Sequence, residues 1–188
     1  MSGDRGRLFV ISAPSGAGKS TITRRIIGLR PEIILSVSYT TRQPRAGEKD
    51  GVAYYFVTKE RFGEMIGKGE FLEYAEYVGE FYGTPRKPVY EWLEGGKDVL
   101  LEIEIRGARQ VMAQAPDATT IFIVPPDMQE LERRLRGRSS EPEEKLASRL
   151  EKARQELKEK ELYKHIVVND DVCRAAGEIL GIIDGARG

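Results

Sequence analysis

The sequence predicts an α/β fold, a parallel sheet wrapped by helices and interrupted by a small mixed or antiparallel insertion. Three observations carry that prediction. The chain opens as an apolar strand, a two-glycine loop and a helix, the usual start of an α/β unit. Strand and helix patterns alternate outside residues 38–87, which favours parallel strands joined by helical crossovers. Inside 38–87 the chain is aromatic and β-rich with few helical stretches.

Each element follows from local pattern. Leu8 to Ile11 is a short β-forming apolar run and reads as a buried strand. Ile22, Ile26 and Ile27 have helical spacing, and Pro31 stops that helix. Ser36 to Gly51 reads as a polar loop or a short strand plus loop, and Val52 to Val57 as β-rich. Phe62, Met65 and Ile66 mark a short helix, and Phe71 to Tyr82 is patterned for strands. Pro88 to Leu93 reads as helix, ended by Gly95-Gly96. Val99 to Ile105 alternates apolar residues with Glu102 and Glu104, a strand with one polar face. A short helix is expected at Ala108 to Ala113, a buried strand at Ile121 to Val124 and a helix at Met128 to Leu135. Arg136 to Pro142 is a charged loop. Leu146, Leu150, Ala153 and Leu157 form a stripe on a long helix whose Glu143, Glu144, Lys152 and Glu156 read as solvated surface. Ile166 to Val168 and Ala175 to Ile183 close the chain as strand and helix.

Composition narrows the function classes. Thirty basic and thirty acidic side chains cancel, and hydrophobic residues make up 40% of 188. Net charge therefore gives no pull toward nucleic acid or membrane, and neither is expected as a partner. Cys173 is the single cysteine, so an internal disulfide and a cysteine-rich metal site are both excluded. That fits a reducing compartment. Met1 to Gly6 carries charge and no apolar core of a signal peptide, and no run approaches the ~18 apolar residues of a membrane span. A cytoplasmic protein, monomeric or homo-oligomeric, is the expectation.

Residues 12–20 read Ser-Ala-Pro-Ser-Gly-Ala-Gly-Lys-Ser. The phosphate-loop pattern G-x-x-x-x-G-K-[ST] is met at Gly18, Lys19 and Ser20, while Ala13 stands at its first glycine. Glycines let successive backbone N–H groups curl around phosphate oxygens, and the following helix adds its positive end. Ser15, Gly16, Ala17, Gly18, Lys19, Ser20 and Thr21 are thus expected to hold the phosphates of a nucleotide, with Lys19 on the β- and γ-phosphates and Ser20 on Mg²⁺.

Further along, Ser-Val-Ser-Tyr-Thr-Thr-Arg-Gln-Pro-Arg-Ala-Gly-Glu (36–48), Tyr-Gly-Thr (82–84), Pro-Pro (125–126), Arg-Leu-Arg-Gly-Arg (134–138) and Val-Asn-Asp-Asp (168–171) occur in order. Together they cover nearly the whole chain and resemble the guanylate kinase family. That resemblance implies a P-loop NTPase-like three-layer core at 1–37, 88–127 and 150–188, a GMP-binding region at 38–87 and a helical lid at 128–149, together one compact unit. It implies reversible ATP-dependent phosphorylation of GMP, and of dGMP, with Mg²⁺, serving guanine nucleotide supply.

The acceptor chemistry is legible once the family is suggested. Arg42 and Arg45 can clamp a phosphate with planar forks, and Tyr54 and Tyr82 can add hydroxyl donors. Glu48 matches a family acid that orders this region. Guanine offers O6 as acceptor and N1–H and N2–H₂ as donors. Glu73 is similar to the family carboxylate at the base, and Ser38 and Thr84 to its hydroxyls. Taken singly these residues read as surface charges or half-buried strand residues; their joint spacing lifts them.

On the donor side, Arg134, Arg138 and Arg149 resemble the lid and lid-base arginines that stabilise the transferring group. Arg133 and Arg136 read as solvated. Asn169 matches a position near the adenine, against the plain alternative of a loop residue bonding its own backbone. The chain departs from the family at Leu-Glu-Ile-Glu (101–104), where Leu-Asp-Ile-Asp is common. Glu104 would face the guanine amino group and Glu102 the Mg²⁺ region, each carboxylate reaching one methylene further. Two other readings compete: a phosphopeptide-binding scaffold, and a related kinase with another acceptor. Lys19, Ser20, Arg138 and Arg149 oppose the first; Ser38, Glu73 and Thr84 oppose the second.

Overall fold

A computed structural model describes residues 5–137 and 143–186. The elements, in chain order, are β1 (Leu8–Ser12), α1 (Lys19–Leu29), β2 (Ile34–Leu35), β3 (Tyr39–Thr40), β4 (Tyr55–Phe56), α2 (Lys59–Gly67), β5 (Phe71–Tyr77), β6 (Glu80–Pro85), α3 (Arg86–Glu94), β7 (Val99–Glu102), α4 (Ile105–Gln114), β8 (Thr119–Val124), α5 (Met128–Arg136), α6 (Glu143–Leu157), a 3-10 turn (Lys158–Leu162), β9 (His165–Val168) and α7 (Val172–Gly185). A five-stranded parallel sheet has the order β2-β7-β1-β8-β9, and a four-stranded mixed sheet the order β4-β3-β6-β5. The α/β class with a second, mixed sheet is therefore as the sequence predicts. Among the described residues no helix is long and apolar enough to cross a membrane.

By internal packing the chain forms two compact units. The first comprises the segment up to Leu8 with Glu32–Ala118; the second comprises Phe9–Pro31 with the chain from Thr119 onward.

In the first unit, β2 pairs in parallel with β7. In the mixed sheet, β3 pairs with β4 in parallel and with β6 antiparallel, and β5 pairs antiparallel with β6. Phe62, Met65 and Phe71 form a buried cluster under this sheet, with Tyr39, Val57, Ile66 and Phe81 packed around it. Thr58 caps α2 by accepting from the Arg61 N–H at 3.2 Å. Two boundaries differ from expectation. The strand read over Val99 to Ile105 ends at Glu102, and the helix expected at Ala108 begins at Ile105. Ile103 and Ile105 are both buried, so the strand-like alternation runs on through the helix start. Ile34-Leu35, unread as a strand, pairs with Val99-Leu100.

In the second unit, β1 is buried along its whole length and pairs with β8, which pairs with β9. Helix α1 packs along α7, burying Ile22 and Ile26 on one side and Ala175, Ala176, Ile179 and Ile183 on the other. Leu131 and Leu135 of α5 meet Leu146, Leu150 and Ala153 of α6, the stripe expected from spacing, although Leu157 is only half-buried. Asp127 and Asp171 cap α5 and α7 through the N–H groups of Glu130 and Arg174.

Candidate active site

The second unit carries the residues expected on the donor side. After β1 the chain turns through Ala13 to Gly18 into α1. Gly16 (φ 88°) and Gly18 (φ 95°) take the left-handed backbone that favours glycine. Both also lack room for a side chain. A Cβ on Gly16 would lie 2.6 Å from Leu135 Cδ2, and one on Gly18 would lie 2.3 Å from Asn169 Nδ2. Ala13 is buried without a positive φ, which explains why alanine is tolerated at the pattern's first glycine. Gly18 occupies the N-cap of α1 and brings no side chain to it. Lys19 is half-buried; Ser20 and Thr21 are exposed in the helix's first turn.

Several side chains pin this loop. Asn169 is 2% exposed and donates from Nδ2 to the Ala17 carbonyl at 2.7 Å. Its backbone N–H donates to the Val124 carbonyl, and its Oδ1 is buried with no hydrogen-bond partner among the described residues. Arg134 donates from Nη2 to the Asn169 carbonyl at 2.9 Å and from Nη1 to Ala17 at 3.4 Å. Glu130 holds Arg134 in turn, and hydrogen bonds from Arg133 and then Arg134 keep the Glu130 carboxyl down at about 2. Arg149 Nη2 donates to Ser15 Oγ at 3.3 Å, and the Ser15 N–H donates to Glu156 at 3.2 Å. Glu156 is thus bound to the phosphate loop, not a solvated helix residue; it lies seven residues after Arg149, two turns along the same helix face. Arg138, expected from the sequence as a lid arginine, lies outside the described residues.

The first unit carries the residues expected on the acceptor side. Arg42 and Glu48 form a two-pronged pair, Nη1 to Oε2 at 2.9 Å and Nη2 to Oε1 at 3.0 Å. The Arg45 N–H adds a third bond to Glu48 at 2.8 Å, while the Arg45 side chain is exposed. The Arg42 guanidinium lies 5.4 Å from the ring centre of Tyr54 and 5.8 Å from that of Phe56, within cation–π reach. The Glu48 hydrogen bond, chiefly, raises the Arg42 pKa, with Tyr82 contributing. Tyr54 and Tyr82 meet edge to face at 5.8 Å. Burial above all, then the charges of Glu102, Tyr82 and Glu104, pushes the Tyr54 hydroxyl up to about 12, with Arg42 opposing. Tyr54 is therefore a neutral donor at any ordinary pH, and Glu102 and Glu104 lie within its electrostatic reach.

Glu73 is buried, at 4% exposure. The register sets it opposite Thr84, whose Oγ1 donates to Glu73 Oε1 at 2.6 Å. Ser38, half-buried, leads into β3 and accepts the Tyr55 N–H on its carbonyl. A buried carboxylate beside a buried hydroxyl is a matched acceptor–donor pair for an edge that carries both N–H and C=O.

A family model described as guanylate kinase matches residues 5–185. The chain belongs to the guanylate kinase family. A guanylate kinase of Clostridioides difficile is 48% identical over 183 residues, which are 97% of this chain and 89% of that one. A guanylate kinase of Thermus thermophilus is 47% identical over 187 residues, with 100% and 83% covered. The solved guanylate kinase of Anaplasma phagocytophilum is 36% identical, with a TM-score of 0.81 over 97% of this chain and 86% of that one. In this guanylate kinase the candidate acceptor residues fall within one compact unit and the candidate ATP-phosphate residues within the other. Sequence reading missed Glu156 and also Gly107, Gln110 and Gln114, which pack against the strand bearing Glu73.

Proposed function

We infer that the chain transfers the γ-phosphoryl group of ATP to GMP, releasing ADP and GDP. The buried Glu73–Thr84 pair carries the acceptor half of this reading. The carboxylate accepts from guanine N1–H and N2–H₂; the Ser38 hydroxyl and the Thr84 hydroxyl, turned from Glu73 toward the base, donate to O6; and Glu104 adds a second carboxylate toward the amino group. Adenine presents a donor where O6 belongs and an acceptor toward Glu73, leaving buried groups unpaired. Such mismatches support discrimination of ~10⁴. Arg42, Arg45, Tyr54 and Tyr82 take the GMP phosphate dianion, and Glu48 holds Arg42 and the Arg45 backbone ready for it. Nothing assigned here reads the 2′-hydroxyl, so dGMP is a second acceptor.

On the donor side, the glycine-rich turn and α1 N-terminus cradle the ATP phosphates, and Asn169 lies by the adenine. Lys19, Arg134, Arg138 and Arg149 answer charge that spreads over the transferring group, stabilising the transition state more than the ground state. Ser20 offers an exposed hydroxyl and Glu102 a carboxylate, hard oxygen donors of the kind Mg²⁺ takes beside substrate phosphates. Mg²⁺, when bound, neutralises phosphate charge. Residues 38–87 act as the acceptor region and 128–149 as the lid of a cytoplasmic enzyme. Coupled ADP release with ATP and each of GMP, AMP, CMP and UMP tests the reading. GMP alone is expected to support rapid turnover; equal rates with AMP contradict guanine recognition.

A further inference from the structure

Strand β5 is an end strand of the mixed sheet, and such edges expose unpaired peptide groups. Here α4 covers it with side-chain amides. Gln110 grips both peptide groups of Tyr74: its Oε1 accepts the Tyr74 N–H at 3.2 Å, and its Nε2 donates to the Tyr74 carbonyl at 2.6 Å. Gln114 Nε2 donates to the Leu72 carbonyl at 2.9 Å, and Arg86 Nη2 donates to Gln114 Oε1 at 2.8 Å. Glu73 therefore sits between two backbone positions that α4 holds. Gly107 lies on the same helix stripe, three residues before Gln110 and seven before Gln114. It leaves no room for a side chain, since a Cβ there would stand 2.0 Å from Glu73 Oε2 and 2.8 Å from its carboxyl carbon. Gly107 is also the third residue of α4, so the positive end of the helix faces the carboxylate.

We propose that Gly107, Gln110 and Gln114 are positioning residues that fix the base-reading carboxylate of Glu73, making α4 a determinant of guanine selectivity. The inference rests on Glu73 reading the base. A methyl at Gly107 overlaps Glu73 Oε2 and must shift the carboxylate, whose other oxygen Thr84 holds. Losing both Gln110 bonds releases the strand on which Glu73 rides. Neither change touches the residues assigned to ATP.

The test is a double-mutant cycle read by KM for GMP, KM for ATP, the GMP-to-AMP ratio of kcat/KM, and thermal midpoint. Gly107→Ala is expected to raise KM for GMP at least ~10-fold and to narrow the GMP-to-AMP ratio, because displacements near 1 Å in a binding group carry penalties of that order or larger. KM for ATP stays unchanged. In a Glu73→Ala background the same glycine change adds nothing further to KM and does not lower the midpoint, since the overlapping carboxylate is gone; a merely structural role gives additive losses instead. If Glu73→Ala lowers GMP selectivity while Gly107→Ala leaves KM for GMP unchanged, or the two effects add, the positioning role is wrong and the base-reading assignment stands. If Glu73→Ala keeps full GMP selectivity, the base-reading assignment itself fails. Should Gly107→Ala not fold, Gln110→Ala decides: a several-fold rise in KM for GMP with KM for ATP unchanged supports the proposal, and an unchanged KM for GMP overturns it.

Discussion

At Arg42, two parallel N–H groups and a third from the Arg45 backbone converge on one carboxylate. Those bonds, the Arg42 side chain first, hold the Glu48 pKa below its ordinary 4.5. A depressed carboxylate pKa adds stability that is fully present above 4.5 and is lost as pH falls through the folded value. Wild type should therefore be more stable than Glu48→Gln at neutral pH, with the two converging in acid; parallel stability curves would show that the pair contributes no linkage. Lys19→Ala belongs to the same scale. It should keep the fold and lose about 10²-fold or more in kcat, the usual effect of deleting one charge-stabilising donor; full turnover removes the phosphate loop from the mechanism. The residues that touch substrate in this account were legible because phosphate and guanine each demand a distinctive set of groups. Gly107 and Gln110 were not, because an amide or a glycine in a helix has many uses and only the fold places these against β5.

At the scale of elements, the β5–β6 hairpin turns through Val78 and Gly79, both with positive φ, 52° and 77°. A turn of that kind suits asparagine followed by glycine, and a left-handed L-residue costs about 1–2 kcal/mol. Val78 is 84% exposed, so its side chain packs on little. Val78→Asn should raise the thermal midpoint by about 2–4 °C for a chain of this size; a fall would mean that the valine makes a contact the exposure conceals. Element types were mostly readable because long stripes such as Leu146, Leu150 and Ala153 have one solution. Boundaries were less so. Leu-Glu-Ile-Glu-Ile alternates like a strand, yet its last residue starts α4, since an N-cap and the residues flanking it also alternate burial. The two-residue strands β2 and β4 have too few residues for any period, and pairing with β7 and β3 defines them.

For the whole molecule, the residues proposed for the acceptor lie in one compact unit and those proposed for the ATP phosphates in the other. On the proposed reading, phosphoryl transfer from ATP to GMP uses both sets, and selectivity for guanine belongs to the first. The parallel-sheet class was readable because alternating strands and helices leave few topologies, whereas the division into units depends on packing between segments distant in sequence. The most direct measurement is ADP release by wild type and Glu73→Ala with GMP and AMP side by side at matched ATP. The account predicts rapid turnover of GMP and little of AMP by wild type, with that ratio narrowed in Glu73→Ala through a raised KM for GMP and an unchanged KM for ATP. Comparable AMP and GMP turnover by wild type, or an unaltered ratio in the variant, would contradict it.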